Sequence, residues 1–423
     1  MPVGALGTSN RVQVSILEEG LFPLNFGVKQ TGNGQILDVT GESLKFDLTF
    51  TQSKVLRADR QVAGNTPTGA TAGGAINIEH RYAGLDPLLR SIVGNDFLPY
   101  GVSGVGAAVD VLTFTSTTVL TATTAPTAAS AFTTLRKGQW FSLIAPAGAS
   151  AAVKAYLGSR AFRVSGTVSP TATVLTLDAA TPVDTSIMTA PVALAKVSSA
   201  YLVNGTSMWS FNVEVGHEDV LAYRQYLGMI PGKLSLKIGD TDLITGSIDF
   251  VGKTMVNPVP TATGMGTRIA PPSYQSASGV RGIFDIIENG VSISASTYIK
   301  SMDFMVDGSL RVQNAVGVLG AARIAPGTFK VGGTLEVYFA DVALYNRFLA
   351  NNKTSLSLPI LDELGNGYVY HICKATYTAA EVSAGGMDQD TMLKITFTGE
   401  IDDNAASPTF GKTIAVYRVG AAV

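Results

Sequence analysis

Cysteine and histidine are scarce in this sequence, which restricts the chemistry that the chain can carry out. The 423 residues include one cysteine, Cys373, and three histidines, His80, His217 and His371. A single cysteine excludes a disulfide within the chain, and no histidine lies at metal-ligand spacing from another. Cys373 follows the alternating run Tyr368–Ile372 and is predicted to be a small buried side chain. We therefore expect no metal site and a structural role for each histidine.

Charged residues and long apolar runs are also few. Only 15% of the residues are charged and the formal net charge is −2, so the chain lacks the concentrated basic surface that grips nucleic-acid phosphates. No apolar run approaches the roughly 20 residues that a membrane-spanning helix needs. Met1–Arg11 has neither the basic start nor the apolar core of a secretory signal. These features predict a protein that assembles in a reducing cytoplasm, without a membrane partner.

Motifs that carry catalysis are missing as well. The sequence contains no nucleophile elbow, phosphate-binding P-loop or dinucleotide-binding fingerprint, and Gly32-Asn33-Gly34 has the composition of a turn. The acidic turns Asp362–Gly367 and Asp388–Asp390 lack the full spacing of a calcium loop. Titratable residues are spread thinly rather than clustered, as they would be in an active site. We expect no enzyme activity and no cofactor.

Glycine, threonine, alanine and valine are abundant, a composition that favours β-structure with tight turns. The most patterned stretch is Met208–Thr254. Its apolar and polar residues alternate over Trp209–Val215, which predicts a strand with one buried face. His217–Leu227 has helical spacing and is followed by Gly228, so a short helix is expected there. Apolar and polar residues alternate again over two further segments, which are predicted to be the strands Leu234–Ile238 and Leu243–Phe250.

The first hundred residues carry a similar series of elements. Ser43–Phe50 alternates as a half-buried strand, and Ile76–Arg81 is a further strand. Between them, Thr51–Ala72 loses the pattern and is expected to be a long projecting loop, with a purely solvated loop as the alternative to a contact surface. A short helix is predicted to begin near Asp86-Pro87, where its apolar stripe starts.

Two segments interrupt this plan. Gly101–Ala200 has few charges but contains apolar anchors such as Trp140 and Phe162, and we interpret it as a small inserted β-domain. Met255–Ser278 is rich in Pro, Gly, Thr and Ser and is interpreted as a linker. The expected domains are a first one from residues 1–100 and 201–254, the insertion 101–200, the linker 255–278 and a second domain 279–423.

The chain also repeats itself. Gly73–His80 aligns with Gly332–Phe339, and Leu243–Gly252 aligns with Met392–Ile401. The extra length of the first copy matches the proposed insertion. The sequence therefore predicts a duplicated fold with one insertion.

These blocks resemble the tail tube (major tail) proteins of long-tailed bacteriophages. The resemblance rests on Trp209–Val215 with the segment after it, on Gly228-Met229, and on Thr245-Gly246-Ser247 ending in Gly252-Lys253. A second block covers Thr40–Leu44, Arg57–Val62 and Gly74–Tyr82, which lie in the first hundred residues.

The resemblance implies a mainly β fold class, with two tandem β-sandwich folds of the tail-tube type, each with a short flanking helix, plus the small inserted β-domain. Six such units form a ring in this family, so three chains of this protein would complete one ring. Stacked rings would form the tube through which DNA passes without specific binding. The implied partners are further copies of the chain and the tail tip or baseplate, tape measure and tail terminator proteins, in a virion tail assembled in the host cytoplasm. Whether a sheath surrounds the tube is left open.

Such a tube assigns provisional roles to particular residues. Strand alternation would place one set of polar side chains on the channel wall, or on an ordinary exposed sheet face as the alternative. The candidates are Lys45, Asp47, Thr49, Asn77, Glu79, Asn212, Glu214, Ser247, Asp249, Asp303, Glu336, Ser357, Lys394 and Thr396. Acids outnumber bases six to two in this set, which predicts an acidic wall that does not hold sliding DNA. Contacts between subunits and rings are expected at Arg57, Asp59 and Arg60 and at Arg311 in the counterpart loop Asp307–Ala325.

A different class of protein is also compatible with Thr-rich strands. A secreted or surface β-sandwich that binds carbohydrate would have this composition. It predicts a leader sequence and clustered exposed aromatic residues, and neither is evident in the sequence.

Overall fold

The fold is described from a computed structural model of the chain. It covers residues 11–59, 61–100, 110–122, 132, 135–145, 148–158, 160–171, 173–179, 181–188, 192–194, 196–259, 265–280, 285–293, 297–405, 407 and 409–420. Strands account for 51% of the structure and helices for 7%, so the mainly β prediction is confirmed.

The elements of the first half, in chain order, are β1 (Val12–Leu21), β2 (Gln35–Leu37), β3 (Val39–Glu42), β4 (Lys45–Gln52), β5 (Asn65–Glu79), α1 (Asp86–Val93), β6 (Leu98–Tyr100), β7 (Asp110–Ser116), β8 (Val119–Ala122), β9 (Trp140–Ile144), α2 (Ala151–Gly158), β10 (Phe162–Arg163), β11 (Val174–Thr176), β12 (Val192–Leu194), β13 (Lys196–Val203), β14 (Trp209–His217), β15 (Ala222–Gly239), β16 (Thr245–Gly252) and β17 (Thr254–Val259). Those of the second half are β18 (Ile287–Glu288), β19 (Val291–Ser292), β20 (Ile299–Asp307), β21 (Arg311–Gln313), β22 (Arg323–Ala325), β23 (Lys330–Tyr338), α3 (Ala343–Leu349), β24 (Thr354–Leu361), β25 (Gly367–Ala384), β26 (Thr391–Glu400) and β27 (Ile414–Val419).

The pairing of these strands confirms the duplication. In the first repeat β15 pairs with β14, β16 and β17, while β5 pairs with β4 and β16. In the second repeat β25 pairs with β24, β26 and β27, while β23 pairs with β20 and β26. The short strands β18 and β19 take the places of β1 and β2, and α3 takes the place of α1. Each repeat is therefore the same two-sheet unit with one flanking helix.

One long sheet runs through both repeats. Its order is β4, β5, β16, β15, β20, β23, β26 and β25, and every neighbouring pair is antiparallel. The repeats join where the second half of β15 pairs with β20, from Lys233 opposite Asp307 to Gly239 opposite Ser301. Side chains from both repeats form one continuous core behind this sheet, including Ile248, Phe304 and Ile395.

The inserted segment has a core of its own and also packs on the second repeat. Leu120, Phe141 and Leu175 are buried together within it. Trp140 instead packs in a cluster with Val369 of β25 and other residues of the second repeat. Strand β13 pairs with β27 and β9, so the insertion extends the second repeat's outer sheet. The helix α2 was not predicted from the sequence.

The helix predicted at His217–Leu227 is wrong. β14 extends to His217, the chain turns at residues 218–221, and β15 begins at Ala222. β15 is covered on both faces over much of its length, which removes the alternation that would identify a strand. Gly228 has a positive φ of 68° and lies in a bulge where the pairing with β14 shifts by one residue, rather than at a helix end.

Three other predictions need correction. The strand at Ser43–Phe50 is mostly exposed rather than half-buried, because β4 forms an arm that extends beyond the core. The predicted loop Thr51–Ala72 is largely the same β-hairpin, since β5 begins at Asn65. The predicted linker opens with β17, and its Met265 is 3% exposed.

The repeat alignment of the last strands is two residues out of register. Ile76 pairs with Ile248, and its counterpart Leu335 pairs with Ile395. Ile248 therefore corresponds to Ile395, and not to Phe397 as the sequence alignment placed it. A shift of two residues leaves each side chain on the same face of the sheet.

Candidate assembly surfaces

One face of the long sheet is polar across both repeats. Alternation along each strand places apolar residues such as Ile76, Ile248 and Leu335 in the core and leaves the intervening residues on the opposite face. A groove of about 880 Å³ lies on this face. We call it the polar face. Its groove is lined in part by Thr40, Asn77, Lys237, Ser247, Asp303, Thr334, Thr396 and Thr398.

The register of the sheet arranges charges of opposite sign side by side on the polar face. Lys233 lies opposite Asp249 on one side and Asp307 on the other. Asp307 in turn lies opposite Lys330. Facing opposite charges on one face of a sheet stabilise the pairing of their strands. This row therefore alternates in sign from the first repeat into the second.

Two further rows have the same character. Lys237 lies opposite Asp303, and Asp303 lies opposite Thr334. Nearer the other end, Lys394 lies between Glu336 and Glu381. The polar face is consequently mixed in charge, with bases next to acids across the strands.

Most of the candidate channel residues meet on this face. By alternation and pairing, the sheet brings together Lys45, Asp47, Thr49, Asn77, Glu79, Ser247, Asp249, Asp303, Glu336, Lys394 and Thr396. Lys45 and Asp47 form a salt bridge of 2.7 Å at the β4 end of the sheet.

Three candidates lie elsewhere, and the expectation is wrong for them. Asn212 is 3% exposed and its Nδ2 donates to Glu19 Oε1 at 2.5 Å. Glu214 is 1% exposed and is bound by Arg268, whose Nη2 lies 2.6 Å from Glu214 Oε1. Ser357 is 1% exposed, with its Oγ 2.8 Å from a ring nitrogen of His371. Each of these side chains is buried and binds a polar group of the protein, so none of them faces solvent.

Five charged residues of the polar face were not among the candidates predicted from the sequence. They are Lys233, Lys237, Asp307, Lys330 and Glu381. Each lies at an alternate position of a strand, so the period was a usable signal for Lys237 in the predicted strand Leu234–Ile238 and for Lys233 directly before it. Counted over these five residues and the candidates that lie on the polar face, acids exceed bases by seven to five, a smaller acidic excess than the six to two of the predicted set.

The two ends of the long sheet are open. Among the described residues, β4 pairs only with β5, and the second half of β25, beyond Ala375, pairs only with β26. Val382 on the β25 edge is 41% exposed, and Leu48 on the β4 edge is 43% exposed. Open edges that carry apolar side chains are surfaces on which another strand can pair.

The arm formed by β4 and β5 carries further exposed apolar residues. Phe50, Val55, Leu56 and Val62 are each more than half exposed. At its tip, Arg57 and Asp59 form a salt bridge with each other at 2.6 Å, and about half of each side chain is exposed. Arg60 lies outside the described residues.

The equivalent arm of the second repeat is not free. Residues 308–329 include the hairpin of β21 and β22, and this arm folds back over the first repeat. Ile324 is fully buried there and Ala321 is 2% exposed, in a cluster with Phe26, Met208 and Ile230. Arg311 lies on β21 and is exposed. One repeat thus already receives the arm of the next within a single chain.

A buried polar cluster holds the two repeats together behind the sheet. His80 Nε2 lies 3.1 Å from the Tyr370 hydroxyl, and Asp86 binds both the Tyr368 hydroxyl and Arg418. Burial raises the pKa of Asp86, while Arg418 and Tyr368 oppose that shift. Burial lowers the pKa of His80 to about 4, so this ring is neutral at physiological pH. These contacts join α1 and the residue directly after β5 to β25 and β27.

The described part of the chain has neither a candidate metal site nor a candidate membrane-spanning helix. No group of three or more His, Cys, Asp or Glu residues there could hold a metal ion. Nor does any of its helices have the length and apolarity to cross a membrane. Burial raises the pKa of the Cys373 thiol to about 12, which suits the small buried side chain that was predicted.

The duplicated fold, with its continuous sheet and its polar face, defines a mainly β-sheet protein. Residues 210–399 match the family model of the phage tail tube protein, from β14 through the junction of the repeats to β26. This part of the chain carries a phage tail tube domain, and the resemblance seen in the sequence is confirmed there. A comparison with curated proteins gave no match.

Proposed function

We propose that this protein is the structural subunit of a phage tail tube, without enzyme activity, and that it polymerises into stacked rings enclosing a channel for DNA. The family match supports the tail tube role. The fold supports polymerisation, because in the described part of the chain the long sheet ends in two unpaired edges. Closing the sheet into a ring would pair both edges.

The junction inside the chain carries this proposal. β15 and β20 already join two repeats edge to edge in one sheet. β25 occupies the place of β15 in the second repeat, and β4 occupies the place of β20 in the first. The same joint, made between chains, would pass from β25 of one copy to β4 of the next. Such a head-to-tail contact closes into a ring if the rotation allows.

We infer that three chains form one ring. Each chain supplies two tube folds, and a ring of six such folds gives true threefold and pseudo-sixfold symmetry. The arm contacts fit this arrangement. The second repeat's arm covers the first repeat of the same chain, so the first repeat's exposed arm would cover a neighbouring chain or ring, with Arg57, Asp59, Arg60 and Arg311 at or near these contacts.

The polar face would line the channel. Its opposite face is packed into the core, so only the polar face remains for solvent inside a closed sheet. Alternating Lys and Asp residues across the strands limit the field that DNA would meet. DNA would then pass without the many unpaired Lys or Arg contacts that give salt-dependent binding.

The remaining roles follow from the tail tube assignment. The protein would lie in the virion tail after assembly in the host cytoplasm. Its partners would be further copies of itself and the tail tip or baseplate, tape measure and tail terminator proteins. The insertion, residues 101–200, would point outward, because it extends the outer sheet of the second repeat through β13 and β9.

Electron microscopy of the purified chain tests the polymerisation, with a variant aimed at the open edge. Val382→Asp places a charge on the apolar side of the β25 edge, where the isolated chain tolerates it because Val382 is 41% exposed. We expect hollow tubes from the native chain and folded, unassembled protein from the variant. Met387→Asp is the matched control, since Met387 is 93% exposed just beyond the strand. Native protein that stays monomeric under all assembly conditions would contradict the proposal.

A further inference from the structure

We propose a specific register for the joint between chains, in which Glu381 of one copy lies opposite Lys45 of the next. The proposal rests on the proposed polymerisation and assigns the pairing of its edges residue by residue. The occupant of each open edge is thus the other open edge of a second copy of this chain.

The internal junction supplies the template. There, Leu234 lies opposite Val306 and Ser235 opposite Met305, in an antiparallel pair. Leu234 is fully buried and Val306 is 1% exposed, so this joint seals the apolar face as well as the backbone edges. A joint of the same geometry between chains needs apolar residues at the equivalent positions.

Pairing within each repeat locates those positions. Leu234 lies opposite Ile248 in the first repeat, and Ala380 lies opposite Ile395 in the second. Because Ile248 corresponds to Ile395, Ala380 corresponds to Leu234, and Glu381 to Ser235.

The other edge is located in the same way. Val306 lies opposite Val331 in the second repeat, and Phe46 lies opposite Ala72 in the first. The correspondence of Ile76 with Leu335 makes Ala72 the counterpart of Val331. Phe46 therefore corresponds to Val306, and Lys45 to Met305.

Replacing each residue of the β15–β20 junction by its counterpart in the other repeat gives the expected pairing between chains. Its apolar pairs are Ala380 with Phe46 and Val382 with Leu44, and its polar-face pairs are Glu381 with Lys45 and Ala379 with Asp47. Ala380 and Phe46 are already partly buried against the core of their own repeats, so apolar residues occupy both sides of the joint. On the polar face, an acid meets a base directly.

The internal junction and the proposed joint between chains differ in which strand carries the acids and which carries the bases. In the internal junction the bases Lys233 and Lys237 lie on β15 and the acids Asp303 and Asp307 on β20. At the open edges the acid Glu381 lies on β25 and the base Lys45 on β4. If β25 of a second copy displaced β15 in this register, Glu381 would face Met305 rather than Lys45, and Asp303 and Asp307 would lose the lysines opposite them. The positions of the charges therefore favour pairing of β25 with β4 of another copy over pairing of β25 with β20.

Disulfide trapping tests the register. Lys45→Cys with Glu381→Cys places two exposed thiols opposite each other, and oxidation of assembled protein should link the 44.0 kDa chain into species of two and three times that mass. Thr49→Cys with Glu381→Cys is the control, because four residues along a strand separate its thiols by roughly 13 Å in this register. Cys373 is 9% exposed and stays in place. Each chain with only one of the introduced cysteines serves as a background control.

The results separate the register from the function. The proposed register is supported if Lys45→Cys with Glu381→Cys links strongly and Thr49→Cys with Glu381→Cys links little. Tubes that form in both double variants and link only through Thr49→Cys, or not at all, overturn the register and leave the tail tube assignment standing. A native chain that forms no rings overturns the proposed function and the joint with it.

Discussion

Two buried histidines make this fold less stable as the pH falls. Burial lowers the pKa of His371 to about 3 and that of His80 to about 4, from an ordinary value of 6.5. Below pH 6.5 the unfolded chain binds protons that the folded chain does not, so stability is lost as the pH falls towards those lower values. Each histidine contributes a loss of up to about 1.4 kcal/mol per pH unit in that window.

Replacing His371 by glutamine should flatten this dependence. We expect the free energy of unfolding of the unassembled chain to fall less steeply in His371→Gln than in the native chain between pH 6.5 and 5, measured by denaturant titration. Ser357→Ala removes the hydroxyl 2.8 Å from His371 while keeping the ring, so it should retain the native slope. Equal slopes in the native and His371→Gln chains would show that His371 does not titrate on unfolding.

At the scale of elements, the second repeat's arm is held by a small apolar cluster. Ile324 is fully buried against Phe26 and Ile230 of the first repeat. Ile324→Ala should lower the free energy of unfolding by about 2–5 kcal/mol, measured by denaturant titration. Val316 lies in the same arm and is fully exposed, so Val316→Ala should change the free energy of unfolding by less than about 0.5 kcal/mol. Similar effects of the two changes would mean that the arm is not packed as described.

The insertion is the element whose removal separates folding from assembly. Residues 101–195 can be deleted and Tyr100 joined to Lys196 by a short Gly-Ser linker, because Tyr100 lies opposite Ser199 in the β6–β13 pair. This keeps β13 on β27, which deletion of the whole of Gly101–Ala200 would shorten. We expect assembly to continue, seen as tubes by electron microscopy.

Some loss of stability is expected in that deletion, because Trp140 packs against the second repeat. Trp140→Ala in the full chain measures this contribution separately, with an expected cost of about 3–5 kcal/mol. A deletion variant that is folded and soluble but never assembles would contradict an outward insertion.

Much of the element plan was predictable, and the failures have physical causes. The end of β5, the strand β16, α1 and the repeat were found because each has a clear period or a copy elsewhere in the chain. β15 was mistaken for a helix over its first residues because Tyr223 and Tyr226 are buried on a strand with both faces covered. A covered strand has no polar face from which its period can be seen.

Only some residues of the polar face could be predicted from the sequence, and the reason is related. Alternation identified residues such as Asn77 and Asp303, but it could not distinguish a solvated polar residue from a buried one. Glu214 is buried because Arg268, which lies in the segment interpreted as a linker, binds it. Contacts between residues so far apart leave no periodic signal in the sequence.

For the molecule as a whole, the paired charges of the polar face should govern the passage of DNA. Asp249→Asn with Asp307→Asn would leave Lys233 and Lys330 without the acids opposite them. We expect assembled tubes of this variant to retain DNA at low salt and release it as salt rises, measured with labelled DNA. Asp184→Asn with Glu363→Gln makes the same change in net charge on exposed turns and should not retain DNA. Equal retention by both variants would place the polar face away from the channel.

An electron cryo-microscopy reconstruction of the assembled protein would test the proposed ring, its joints and its channel wall together. We expect a hollow tube with three chains per ring, in which β25 of each chain pairs with β4 of the next and the polar face lines the channel. Six chains per ring, or a channel wall that does not include the polar face, would contradict it.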